Sequence, residues 1–69
     1  MNKVRQLMDQ RGMNVSNLMF ASGLSWPTCD DAYKSDPWPT ERTQWRTIEA
    51  IARALKVDPS ELLSTNNNG

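Results

Sequence analysis

The sequence predicts an all-α fold of five short helices. Three observations lead there. Apolar residues recur at i, i+3 and i+4 in one segment after another. No stretch shows the alternation of a half-buried strand. Glycine, asparagine and proline fall between the periodic segments, where helices stop and restart. At 69 residues the chain is one domain. A domain of that size buries only about 60% of its unfolded surface, so nearly every apolar side chain is claimed by the core.

Between Asn2 and Arg11, residues Val4, Leu7 and Met8 share one helical face, while Arg5, Asp9 and Gln10 point to water. Gly12 follows as a helix-ending residue. Asn14 is the N-cap of a second helix, in which Val15, Leu18 and Met19 repeat the spacing and which stops by Gly23. Ser25 is placed to cap the first amides of a third helix, and Pro27 costs nothing in a first turn, where its missing N–H would be an orphan. That helix runs to about Lys34. Ser35-Asp36-Pro37-Trp38-Pro39 then breaks the chain, because each proline disfavours helical geometry in the residue before it. Thr40 or Thr43 caps a fourth helix, where Trp45, Ile48, Ile51, Ala52 and Leu55 hold the apolar spacing and Trp45 is assigned to the core. Its end near Val57 is followed by Asp58-Pro59-Ser60-Glu61, read as a capping box in which Asp58 accepts from the amide three residues on. Leu62 and Leu63 on a fifth helix close the core. The domain is expected over residues 1–63, with a disordered polar tail at 64–69.

Composition narrows the function classes. Eight Lys plus Arg balance eight Asp plus Glu, and there is no histidine, so the usual general base and the commonest metal ligand are both missing. The lone Cys29 permits neither an intramolecular disulfide nor a cysteine metal cluster. It faces inward as a structural residue rather than a redox sensor. No phosphate-cradling loop or nucleophile elbow occurs, and Asp30-Asp31 are helix neighbours that do not face each other. The expectation is therefore no enzyme, no cofactor, no metal and no small-molecule ligand. The longest apolar run, Leu18-Met19-Phe20-Ala21, is far short of the roughly 20 residues that span a bilayer. Met1-Asn2-Lys3-Val4-Arg5 lacks a signal-peptide apolar region, so no membrane partner and a cytoplasmic location are expected. Zero net charge and a pI near 6.1 predict weak nonspecific binding to nucleic acid.

The informative stretch lies at about residues 15–34: a short helix, the turn Ser22-Gly23-Leu24-Ser25, and a capped second helix. A tight turn with glycine crosses two helices steeply and lets the second protrude, which suits a major groove. Here the sequence resembles the Cro/C1-type (XRE) helix-turn-helix family. The matching residues are Gln10-Arg11-Gly12, the run from Leu18 to Thr28 with its Gly-Leu-Ser-x-x-Thr core, and the ending Ile51-Ala52-Arg53-Ala54-Leu55-Lys56-Val57 with Asp58-Pro59-Ser60-Glu61-Leu62-Leu63. The resemblance implies a lambda-repressor-like DNA-binding domain with its third helix in the major groove. It also implies that the starts of helices two and four lie against phosphates. Three positions depart from the family pattern: Val15 stands where many members have a phosphate-touching Gln, Met19 replaces a small Ala, and Met8 and Tyr33 take the places of a buried arginine and glutamate. An apolar pair can replace a buried ion pair without loss of stability.

Carried over, the base-facing residues are Trp26, Pro27, Asp30 and Asp31, and the backbone contacts are Asn14, Ser25, Thr28, Lys34, Arg42, Thr43 and Arg46. Geometry agrees for the third helix. At about 100° per residue Cys29, Ala32 and Tyr33 share one face, with Pro27, Asp30, Asp31 and Lys34 opposite and Trp26 on the flank. Asp30 and Asp31 either accept from cytosine N4 or are solvated charges, one of them favoured by the helix dipole; the second reading is preferred. Trp26 either stacks on a sugar or thymine methyl, or packs at the rim beside Tyr33. Pro27 is a helix-start device before it is a base contact. Arg42 and Arg46 are assigned to phosphate, Arg53 to a surface pair with Glu49. Trp38 is left between core, DNA and a dimer surface.

These readings predict sequence-specific binding to double-stranded DNA by a small transcriptional regulator. A homodimer on a two-fold site is expected, because one domain offers few contacts. The alternative keeps the fold as a protein-interaction module, an adaptor or antitoxin-like partner, anchored by Trp26 and Trp38.

Overall fold

Five helices form in the expected order: α1 (Lys3–Gln10), α2 (Val15–Ser22), α3 (Trp26–Lys34), α4 (Trp45–Leu55) and α5 (Pro59–Leu62). The computed structural model describes residues 2–63; the tail expected at 64–69 lies outside the described residues. No strand occurs among the described residues, though an isolated parallel bridge joins Asn2 to Trp38.

The helix ends follow local chemistry. Gly12 and Gly23 adopt left-handed backbone at φ +67° and +77°, the conformation that ends α1 and α2. Asn14 caps α2 reciprocally: its Oδ1 accepts from the Asn17 amide at 2.8 Å, and the Asn17 side chain accepts from the Asn14 amide at 3.0 Å. Three expected caps are made differently. Ser25 holds the N-cap position of α3, yet its hydroxyl meets that of Thr28 at 2.9 Å, because a second hydroxyl one turn on competes with the amides. Neither Thr40 nor Thr43 caps α4, whose N-cap is Gln44 with no side-chain bond. Instead the Thr43 hydroxyl accepts from the Thr40 amide at 2.9 Å and Thr40's accepts from the Arg42 amide at 3.2 Å, so both are spent closing a turn upstream. Asp58 does cap α5, but through the Ser60 amide at 2.9 Å rather than that of Glu61, which bonds the Asp58 carbonyl at 2.8 Å. The fourth helix ends at Leu55, before Val57, because Lys56 turns left-handed at φ 59° and the Val57 amide folds back to Ala52.

The core joins Val4 and Met8 of α1, Leu18 of α2, Cys29 and Ala32 of α3, the α4 stripe Ile48, Ile51, Ala52 and Leu55, and Leu62 of α5. Val15, Met19, Tyr33 and Leu63 are half-buried against it. The tryptophans reverse one expectation. Trp38 is only 2% exposed, filling the core from the proline loop, whereas Trp45 is 52% exposed. Trp45 is the first residue of α4 and sits at the edge of its apolar stripe, so the spacing admits it to the pattern without any partner being obliged to cover it.

The third helix packs on both α2 and α1, and α1 holds its C-terminal end through hydrogen bonds. A helix leaves its last carbonyls without intrahelical partners, and a buried carbonyl needs one. Asn2, 4% exposed, accepts from the Arg5 amide at 2.9 Å to cap α1, while its Nδ2 donates to the carbonyls of Ala32 at 2.7 Å and Ser35 at 2.5 Å. Arg5, expected to point to water, is half-buried and donates to Tyr33 and Lys34 carbonyls, each at 2.9 Å. Its guanidinium lies 5.8 Å from the Tyr33 ring centroid. The carbonyl end of a helix carries partial negative charge, which favours a cation there. Met8 is buried as expected, but Tyr33 is not a purely apolar partner: its hydroxyl donates to Asp9 at 2.9 Å. Arg11 adds a second tie, donating to the Leu55 carbonyl at the end of α4.

Candidate nucleic-acid interface

The turn between α2 and α3 is closed by backbone and hydroxyl bonds. The Gly23 amide donates to Met19 at 2.9 Å, and the Leu24 amide donates to the Ser22 hydroxyl at 3.2 Å. Leu24 packs against the core and anchors the turn. With Cys29 and Ala32 fully buried, the opposite face of α3 is turned outward. Trp26 is 46% exposed at its tip, and Pro27 and Asp31 are exposed beside it.

Both aspartates are held by their own helix. Asp30 is half-buried and pairs with the exposed Lys34 at 3.3 Å, a weak surface contact that partly offsets the charge of each. Asp31 accepts from the Ser35 hydroxyl at 2.9 Å. The repulsion that this pair would offer a phosphate is therefore smaller than two bare charges imply.

Beside this face lies an open groove of about 420 Å³. Pro27, Thr28 and Asp31 form one wall; Trp38, Thr40, Arg42 and Thr43 of the loop form the floor and rim; Gln44 and Thr47 of α4 complete it. The structure thus brings Pro27, Thr28, Asp31, Arg42 and Thr43 together at one depression. Arg46 is exposed in the first turn of α4, where the amides of Trp45 and Arg46 precede the first helical acceptor bonds. Asn14 lies apart, exposed at the start of α2 with its Oδ1 spent on Asn17. The Ser25 hydroxyl is likewise engaged. Glu49 and Arg53 are both exposed, but the expected ion pair between them is absent among the described residues. Thr47 is a groove residue that sequence reasoning missed; its place one turn after Gln44 was the available signal. Phe20 was missed too: it is 81% exposed on α2, opposite Leu18, and its place off the Val15, Leu18, Met19 stripe was the available signal.

A short helix, a glycine turn and a second helix with one buried and one open face define a helix-turn-helix protein. The chain matches the Cro/C1-type HTH DNA-binding domain over residues 3–68 and belongs to that family. It is thus a DNA-binding domain of the helix-turn-helix type. Neither the curated proteins nor the solved structures compared with the chain gave a match. No helix among the described residues is long and apolar enough to cross a membrane.

Proposed function

We propose that this domain is a cytoplasmic transcriptional regulator that binds double-stranded DNA sequence-specifically, with α3 in the major groove. The observation that carries the reading is the groove beside α3, where Thr28, Arg42 and Thr43 converge next to the outward face bearing Trp26, Pro27 and Asp31. Phosphate on the near side is met by Arg42, Arg46 and Thr43, and on the far side by the start of α2 at Asn14. Ser25, Thr28 and Lys34 are secondary backbone contacts, and Asp30 and Asp31 are solvated charges rather than readers. Two copies on a two-fold site, with half-sites about one helical turn apart, supply the affinity that one domain lacks. The unit is residues 1–63.

Selection of duplexes from a random pool, followed by a salt titration of the winner, tests this. The expected result is an enriched sequence whose log Kd rises linearly with log salt. Absence of enrichment refutes sequence-specific binding, and absence of salt dependence as well refutes DNA binding altogether.

One observation favours a protein-interaction module instead: Phe20, 81% exposed, is an apolar anchor on the face of α2 away from the core. The anchor expected from sequence is halved, because Trp38 is buried. A chain that enriches no duplex and whose complex with a protein is broken by Phe20→Ser would establish that alternative.

A further inference from the structure

The proposed reading helix carries an unusual set of groups for its task. Purines are recognised in the major groove mainly by bidentate donors: Arg or Lys on guanine, Asn or Gln on adenine. From Trp26 to Lys34, α3 holds no Arg, Asn or Gln, and its one Lys, in the last turn, is paired with Asp30 at 3.3 Å. Its outward N-terminal turn instead presents two adjoining apolar side chains, Trp26 at 46% exposure and the exposed Pro27, with no acid between them. Asp30 pairs with Lys34 and Asp31 accepts from Ser35, so both carboxylates, one turn on from Trp26 and Pro27, have partners toward the end of the helix, with Asp31 bordering the patch beside Pro27.

An apolar surface in the major groove has one complementary feature among the four bases, the C5-methyl group of thymine. We propose that Trp26 and Pro27 determine specificity by packing on thymine methyl groups, so that the preferred site is read through a methyl pattern rather than through purine hydrogen bonds. The inference rests on the DNA-binding reading above and adds the chemical feature that is read. Burying one methyl corresponds to roughly a three- to fivefold change in Kd.

Deoxyuridine tests this with the unaltered protein, since it keeps every hydrogen-bonding group of thymine and lacks only the methyl. In the duplex selected from the random pool, each thymine is replaced in turn. The expected result is a three- to fivefold loss at one or two thymines per half-site and none elsewhere. Placing cytosine there weakens binding, and 5-methylcytosine recovers part of the loss. With Trp26→Ala, thymine and deoxyuridine duplexes bind equally at the position Trp26 covers; Pro27→Ala does the same at its own position. A selected duplex that binds specifically, yet is indifferent to deoxyuridine at every thymine, overturns the inference and leaves DNA binding standing. A chain that enriches no duplex overturns the sequence-specific reading and this inference with it.

Discussion

Asn2→Ala is the most informative single change in the scaffold, because one side chain serves two helices. Its Oδ1 caps α1, and such caps are worth about 1 kcal/mol. Its Nδ2 satisfies the Ala32 carbonyl at 2.7 Å and the Ser35 carbonyl at 2.5 Å. Orphaning a buried carbonyl costs about 1–3 kcal/mol; the Ala32 bond is buried, while that to Ser35 is only partly so and its carbonyl can rehydrate. The expected loss is about 2–4 kcal/mol. Set against the roughly 3–10 kcal/mol total stability of a chain this size, that is a large share. In a thermal melt followed by circular dichroism it lowers Tm by about 10–30 °C. Asn2→Asp separates the two roles. It keeps the cap but aims a carboxylate at the carbonyl end of α3, so it should destabilise at least as much as Asn2→Ala. An aspartate variant that melts with the wild type, or an alanine variant within about 4 °C of it, would refute the idea that this residue fastens α3.

Four further outcomes are expected. Trp38→Ala removes a buried side chain and costs about 3–5 kcal/mol in urea unfolding, whereas Trp45→Ala, at a half-exposed position, costs under about 1 kcal/mol. Lys56→Gly relieves the left-handed φ of 59° and raises stability by about 0.5 kcal/mol, the steric relief exceeding the entropy of added glycine. The Ser60 amide holds the Asp58 carboxyl below its ordinary value of 3.8, so its stabilising effect is present above that pH and fades as pH falls through the lower folded value; the acid limb of the stability curve should flatten in Asp58→Asn. Replacing Arg42 and Arg46 by Gln should weaken binding to all duplexes and reduce the slope of log Kd against log salt by about 0.9 per arginine that meets a phosphate, while no change in slope would remove both from the interface.

Helix number, order and most boundaries were legible in the sequence, because periodicity and punctuation are local signals. Val4, Met8, Leu18, Ile48, Ile51 and Leu55 all reach the core that their spacing assigns them. What was not legible depends on partners far along the chain. Arg5 sits on the polar side of its own helix, and only the arrival of α3 supplies the carbonyls that draw it in. Trp38 lies in a loop where no period exists to place it, so its burial could not be read, while Trp45 satisfied the period and stayed exposed. Hydroxyl caps failed for a related reason: Ser25, Thr40 and Thr43 each had a nearer hydroxyl or turn amide to bond. At the candidate interface, the outward face of α3 followed from helical phase. The pairing of Asp30 with Lys34 was available from their i, i+4 spacing and changes how the acidic pair is weighed.

The ties that α1 makes to later helices also order events during synthesis. Asn2 bonds a carbonyl 30 residues later, and Arg11 one 44 residues later. On the ribosome, α1 emerges before any of its partners exist, and its apolar face stays open until α3 and then α5 follow. The α2 and α3 pair, joined by a short turn, can close on itself much sooner. The nascent domain thus gains the α2–α3 pair early, while the apolar face of α1 is covered only once α3 and α5 have both packed on it. A chain ending before residue 55 would keep the Asn2 and Arg5 ties to the end of α3 but lack the Leu55 carbonyl that holds Arg11.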